Sequence, residues 1–158
     1  MSRAMRWIGW WPPLLGAGIR VKRVDADLRA VDVEMRLTRW NRNYRGVHFG
    51  GSLYAMTDPF YMVMVARNLG DGFVVWDKAA SIRYRKPGQG TVRAEFRLTV
   101  ERVEEIRAVA EREGRVEPRF VVEVKDELGE VVAEVERVLY CARKDVHEAR
   151  LAARGVRV

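Results

Sequence analysis

The sequence predicts an α+β fold in which a curved antiparallel sheet wraps around one long central helix. Two patterns support this prediction. Several segments alternate apolar and polar residues between short polar turns, and residues 53–66 are apolar on nearly every side. Alternation indicates strands with one covered face, and short turns favour antiparallel pairing. A helix that is apolar all round must be buried, and covering it takes more than one small sheet, so we also expect dimerisation.

The composition limits the classes of protein and of site. A length of 158 residues fits one domain over 1–158. The net charge of +7 favours anionic partners, but acidic residues are interleaved with the basic ones. We therefore expect a phosphate-bearing ligand and no nucleic acid. Cys141 is the single cysteine, which excludes an intrachain disulfide, and His48 and His147 lie far apart. We expect no metal site.

Residues 1–15 form an aromatic lead-in with three tryptophans. We interpret it as a segment that covers one end of the core or a subunit interface, with membrane adhesion as the alternative. Pro12 and Pro13 interrupt it, and it lacks the apolar core and cleavage site of a signal peptide. The central apolar run is too short to span a bilayer. We therefore predict a cytoplasmic protein without a membrane span.

The remaining elements follow from the same patterns. They are strands at 16–24, 28–37, 73–86, 91–100, 120–128 and 130–143, and a surface helix at 103–113. Gly70 suits the C-cap of the central helix, and a bulge is expected near Ala79. The basic tail, 145–158, is either a frayed helix or disordered. The start of the central helix is open: it begins near Ser52 with a kink at Pro59, or at Asp58 as an N-cap.

A motif with chemical meaning lies at 43–58, NYRGVHFGGSLYAMTD. It resembles the signature of the hotdog-fold acyl-CoA thioesterases, in particular the phenylacetate-pathway type. The residues in register with that signature are Asn43, Gly46, Gly50, Gly51 and Asp58. The segment 82–88, IRYRKPG, resembles the end of the strand after the helix in the same family, and the order of elements also agrees.

The resemblance implies a homodimer or dimer of dimers that hydrolyses a thioester of coenzyme A or an acyl carrier. It implies no cofactor other than coenzyme A as part of the substrate. In the family the site crosses the dimer interface, so Asn43 and Gly50 would face the partner subunit's Asp58. Phe49 occupies the family's histidine position, with His48 one residue earlier. This resembles an uncharacterised branch with a Phe-Gly-Gly turn and a domain of unknown function.

Thioester hydrolysis needs an activated water and donors for the developing oxyanion. Asp58 is the candidate base or nucleophile. The amides of Gly50 and Gly51 are the candidate oxyanion donors, because helix-start amides are free and glycine permits close approach. Asn43 is a candidate for fixing the water or the substrate carbonyl. A purely structural role for Asp58, as an N-cap before proline, has about equal weight.

Two further residues are secondary candidates. His48 is either a general base or a loop histidine that bonds to the backbone. Asp77 occupies the position where the family has a serine or threonine. A second carboxylate near Asp58 would raise the pKa of one of the two, with Lys78 or Arg83 compensating.

Arg83, Arg85 and Lys86 are candidates for binding the phosphates of coenzyme A, since guanidinium groups suit phosphate. A plain solvated strand face is the alternative. A second hypothesis for the whole protein is a non-catalytic hotdog binding protein. It would hold an acyl group beside Met56, Phe60 and Tyr61.

Overall fold

The computed structural model describes residues 10–153 and residue 155. The helices are α1 (Pro12–Ala17), α2 (Gly50–Ala55), α3 (Phe60–Leu69), α4 (Val100–Glu113) and α5 (Lys144–Ala153). The strands are β1 (Ile19–Val24), β2 (Ala30–Arg36), β3 (Phe73–Tyr84), β4 (Thr91–Arg97), β5 (Arg115–Val116), β6 (Arg119–Lys125) and β7 (Val131–Arg143). The lead-in before Trp10, including Trp7, and tail residues 154 and 156–158 lie outside the described residues.

The strands form one antiparallel sheet in the order β1-β2-β4-β6-β7-β3, with β5 also paired to β7. The predicted α+β class is confirmed. The predicted bulge is present, since the β3–β7 register shifts between Asp77 and Ala79. β3 lies at one edge of the sheet, and all of its residues except the bulged Lys78 pair on one side with β7.

Three predictions at the ends of the chain need adjustment. Gly16 belongs to α1, so the first strand begins only at Ile19. Pro12 and Pro13 do not break the lead-in but begin α1, where a missing amide proton costs nothing. The tail forms α5 through Ala153. The two-residue strand β5 was too short to predict.

The central helix is divided in two: its first part starts close to the predicted position near Ser52, whereas the predicted start at Asp58 is wrong. α2 begins at Gly50 and ends at Ala55, and α3 begins only at Phe60. In the turn between them, Thr57 Oγ1 donates to the carbonyl of Tyr54 over 2.7 Å. Asp58 is not an N-cap, because its carboxylate binds a side chain on β7. The predicted C-cap at Gly70 is observed, with φ of 83°.

The core lies between the sheet and the two central helices. Phe60, Met64 and Val65 of α3 are fully buried there. The Phe60 ring packs against Phe96 at 4.9 Å between centroids, and Tyr61 stacks on Phe120 at 4.5 Å. The residues proposed to hold an acyl group in a binding protein are thus packed against protein.

Candidate active site

A cavity of about 610 Å³ opens beside the start of α2, and we call it the glycine cavity. Its lining combines a loop, two glycines and the end of β3. The lining residues are Asn43, Val47, His48, Phe49, Gly50, Gly51, Leu53, Tyr84, Arg85, Lys86, Pro87 and Gly88. The structure therefore brings six of the candidate residues to one cavity: Asn43, His48, Gly50, Gly51, Arg85 and Lys86.

Two aromatic rings lie directly against the glycines. A Cβ atom on Gly50 would lie 2.8 Å from Tyr84 Oη, and one on Gly51 would lie 2.4 Å from Phe49 Cε1. Any side chain at either position would collide with a ring, so the approach of the rings requires glycine. The Gly50 and Gly51 amides make no hydrogen bond to another described residue. Both amides are therefore available as donors.

Asn43 organises the loop that borders the cavity. Its Oδ1 accepts hydrogen bonds from the amides of Arg45, at 2.9 Å, and Val47, at 3.4 Å. This is a turn in which the asparagine bonds to the backbone two residues ahead. Its neighbour Asn41 is buried, and its Nδ2 donates to the carbonyls of Ala17 and Arg36. The loop is thus anchored by Asn41 and shaped by Asn43.

His48 is buried, with Nε2 3.1 Å from the carbonyl oxygen of Gly90. Its Nδ1 has no hydrogen-bond partner among the described residues. Burial lowers the pKa of His48 below its usual 6.5, and the bond to Gly90 only partly offsets this. The bond to the backbone is the structural role that the sequence offered as an alternative to a general base.

The basic residues at the end of β3 differ in their partners. Lys86 Nζ lies 2.6 Å from Asp126 and also pairs with Glu130, so its charge is neutralised by protein. Arg85 makes one long contact to Glu134 at 3.4 Å, with its side chain half exposed. Arg83 is exposed and does not line the cavity. Of the three predicted phosphate-binding residues, Arg85 is the best placed.

A second group of functional side chains lies at the turn between α2 and α3. We call Asp58, Asp77 and Arg137 the Arg137 cluster. Arg137 on β7 donates from Nε to Asp77 Oδ1 at 3.0 Å, and its Nη2 is shared between the carboxylates of Asp77 and Asp58. The Arg137 side chain is only 3% exposed, against 40% for Asp58 and 28% for Asp77. The guanidinium also lies 5.5 Å from the centre of the Tyr54 ring.

The charge balance at this cluster differs from the prediction. Burial raises the pKa of Asp77 above its usual 3.8, Arg137 opposes this rise, and the nearby charge of Asp58 adds to it. The compensating cation is neither Lys78 nor Arg83. Lys78 is instead paired with Glu117 at 2.5 Å. Sequence reasoning missed Arg137, although it breaks an apolar face of β7 formed by Val135 and Leu139.

The two groups do not meet within one chain. None of the three cluster residues lines the glycine cavity. Across the described part of the chain, no three histidine, cysteine, aspartate or glutamate residues lie close enough together to hold a metal ion. Cys141 is a buried strand residue, as expected, and burial raises its pKa to about 12.

Comparison with solved structures defines the class of fold. A Pseudomonas aeruginosa protein of unknown function, described as a probable thioesterase, matches with a TM-score of 0.79 and 23% identity over 89% of this chain and 93% of that one. A Haemophilus influenzae thioesterase matches with a TM-score of 0.67 and 13% identity over 90% and 91%. The E. coli PaaI protein of the phenylacetic acid degradation operon matches with a TM-score of 0.59 and 16% identity over 90% and 91%. The chain has the hotdog fold, as its motif implied.

The family of this chain is a more specific assignment than its fold. The family described as Domain of unknown function (DUF4442) matches residues 1–141, and the chain belongs to it. No curated protein matches the sequence significantly. Among residues 10–153 and 155, no helix is long and apolar enough to cross a membrane.

Proposed function

We propose that this protein hydrolyses an acyl thioester of coenzyme A or of an acyl carrier. One observation carries the proposal: Asp58 is a partly exposed carboxylate fixed by a buried arginine, three residues after a helix that starts with two free glycine amides. A base and an oxyanion site are the two groups that the reaction needs. The similarity to hotdog proteins described as thioesterases supports the same reaction.

The reaction follows from these groups. Asp58 accepts a proton from a water molecule as the water oxygen attacks the thioester carbonyl carbon. The amides of Gly50 and Gly51 donate to the carbonyl oxygen as it becomes negative. The carbon–sulfur bond then breaks, the thiolate leaves and takes the proton from Asp58, and the carboxylic acid remains. No cofactor takes part, and coenzyme A enters only as part of the substrate.

A second copy of the chain completes the site in this proposal. Asp58 does not line its own glycine cavity, so the partner subunit's Asp58 would supply the base. The edge strand β3 supports such an assembly, because it has a free edge and exposes Trp76 and Tyr84. A long exposed edge strand is a template for pairing with another chain. The phosphates of coenzyme A would lie against Arg85 at the rim of the cavity.

The test is release of free coenzyme A from short, long and aromatic acyl-CoAs. Asp58→Asn keeps the size of the side chain and removes the base, so we expect a loss of about 100-fold or more in kcat. Asp71→Asn, at an exposed loop position, is the matched control and should behave as the wild type. Turnover that survives unchanged in Asp58→Asn would reject Asp58 as the base. Absence of turnover on every substrate would reject hydrolysis.

A non-catalytic acyl-CoA binding protein is the second candidate function. One observation favours it: Asp58 is already paired with Arg137, while none of the described residues that line the glycine cavity carries a carboxylate. Such a protein would bind acyl-CoA without releasing free coenzyme A, and Asp58→Asn would leave the binding constant unchanged. Calorimetric titration of a non-hydrolysable acyl-CoA thioether measures binding, and the release assay measures turnover of the matching thioester. Binding without release identifies the binding protein, and binding with release identifies the hydrolase.

A further inference from the structure

Arg137 is the most deeply buried charged side chain of the Arg137 cluster, at 3% exposure. It projects from β7 at a position whose neighbours on the same face, Val135 and Leu139, belong to the apolar core. An apolar residue would continue that face without the cost of removing a guanidinium from water. The burial of an arginine here therefore needs a reason beyond packing.

The partners of Arg137 supply the reason. Its Nε and Nη2 both bind Asp77 Oδ1 at 3.0 Å, which fixes the plane of the guanidinium on the neighbouring strand. The same Nη2 binds Asp58, which lies in the turn between α2 and α3 and has no side-chain bond to its own helix. The sheet thus holds the carboxylate of a residue that the helical turn alone would leave free to rotate.

We propose that Arg137 is the positioning residue for Asp58, and that Asp77 orients Arg137. The role rests on the proposed function, in which Asp58 activates the water. Arg137 directs one carboxylate oxygen of Asp58 toward the sheet, so that the other is left for the water. Asp77 acts only through Arg137: it provides the second fixed point that a planar guanidinium needs to hold one orientation.

The geometry also explains why the second carboxylate is tolerated. Two carboxylates around one guanidinium give a group of net charge −1, with Asp58 the more exposed member at 40%. The remaining nitrogen, Nη1, is buried and has no hydrogen-bond partner in the described part of the chain. Among the described residues, Arg137 gives its side-chain hydrogen bonds to the two aspartates, and its Nη1 is closed off from solvent, which fits a positioning residue better than a substrate-binding one.

Four variants test the proposal with acyl-CoA hydrolysis as the assay. Arg137→Gln should lower kcat by about 10- to 100-fold with KM changed less than about threefold, because a misplaced base slows the chemical step and not binding. Arg137→Lys keeps the charge but cannot bind both aspartates in one plane, so it should recover only part of kcat. Asp77→Ala should lower kcat in the wild type and have no further effect in Arg137→Gln.

Arg107→Gln is the control for loss of a part-buried arginine. Arg107 donates to the carbonyls of Asn68 and Leu69 at the end of α3, so its removal should lower stability and leave kcat per folded molecule unchanged. If Arg137→Gln does not fold, Arg137→Lys and Asp77→Ala still carry the test.

The outcomes separate the two proposals. Wild-type turnover with a normal kcat in folded Arg137→Gln, or in both Arg137→Lys and Asp77→Ala, would overturn the positioning role and leave the proposed function in place. Equal losses in kcat for Arg107→Gln and Arg137→Gln would also overturn it, since general destabilisation would then suffice. Wild-type protein without turnover on any acyl-CoA would overturn the proposed function and, with it, the role of Arg137.

Discussion

The glycine cavity and the Arg137 cluster both contain polar groups beside the core, but they differ in how those groups find partners. The cavity is open, with about 610 Å³ of space, unpaired amides and two exposed aromatic rings. The cluster borders only a smaller cavity of about 260 Å³, which Asp77 lines, and its charges pair with one another through a buried arginine. A ligand has room at the first region and a fixed charge at the second.

In the proposed function, the glycine cavity binds the substrate and the Arg137 cluster holds the base. Amides donate hydrogen bonds to carbonyl oxygens and aromatic rings pack against apolar groups, and at an open site water can hydrate the amides when no ligand is bound. A carboxylate beside a core does need a partner, because an unpaired buried charge is costly. Arg137 supplies it within the chain, so the proposed base is held in place before any substrate binds.

The largest effect should come from removing the cation of the cluster. Arg137→Met leaves two neighbouring aspartates without a partner, and we expect a loss of about 3 kcal/mol in the free energy of unfolding. For a chain of this size, that corresponds to a fall of roughly 10 °C in Tm. Urea unfolding at pH 7 measures the first quantity and calorimetry the second.

Two further variants make this result specific. Arg119→Met removes an exposed partner of Glu136 on the adjacent strand and should cost less than about 1 kcal/mol. Replacing both aspartates with asparagine in Arg137→Met should restore most of the lost stability, since the unpaired charges are then gone. An Arg137→Met protein as stable as the wild type would show that the cluster is not held by its ion pairs.

At the glycine cavity, we expect smaller costs that depend on the rings. Gly50→Ala places a Cβ atom 2.8 Å from Tyr84 Oη, and we expect a cost of about 1 kcal/mol and weaker acyl-CoA binding. Tyr84→Ala in the same protein should remove that cost, because the three atoms nearest to this Cβ all belong to the Tyr84 side chain. Gly16→Ala is the control: its helical position has no described atom within 4 Å, so it should be neutral or slightly stabilising.

The two regions also differed in how far the sequence could predict them. The glycine cavity is built largely from one contiguous motif, so the resemblance of that motif to a thioesterase signature already grouped many of its residues. The Arg137 cluster is not local, because Arg137 lies 79 residues from Asp58 and 60 from Asp77 along the chain. The sequence feature that could have indicated the cluster is the alternation along β7. Val135, Arg137 and Leu139 share a face of the strand, and the arginine interrupts an otherwise apolar row.

The break in the central helix was only half predictable. Asp58-Pro59 marks a disturbance, but both predicted solutions assigned Asp58 to the helix, as an interior residue or as an N-cap. In the structure, Thr57 Oγ1 donates to the carbonyl of Tyr54 at the end of α2, and the Asp58 carboxylate binds Arg137 on the sheet. Arg137, the partner that holds Asp58 outside both helices, lies on a distant strand, so no local pattern could have identified it.

The smallest expected effects are the responses of the two regions to acid, which should have opposite signs. The pKa of His48 is lowered from 6.5 in the folded state, so the unfolded chain takes up the proton first. Its contribution to stability is present above pH 6.5 and is lost as the pH falls. The pKa of Asp77 is raised from 3.8, so the folded chain takes up the proton first, and stability is regained as the pH falls toward that value.

Urea unfolding between pH 7 and pH 4.5 distinguishes the two contributions, each on the order of 1 kcal/mol or less. His48→Gln should lose less stability on acidification than the wild type, with His147→Gln as the control for loss of a histidine elsewhere. Asp77→Asn should lose more, because it lacks the group whose protonation favours the folded state. Parallel curves for wild type, His48→Gln and Asp77→Asn would mean that burial shifts neither proton, and that the cavity histidine and the cluster aspartate do not differ in their response to acid.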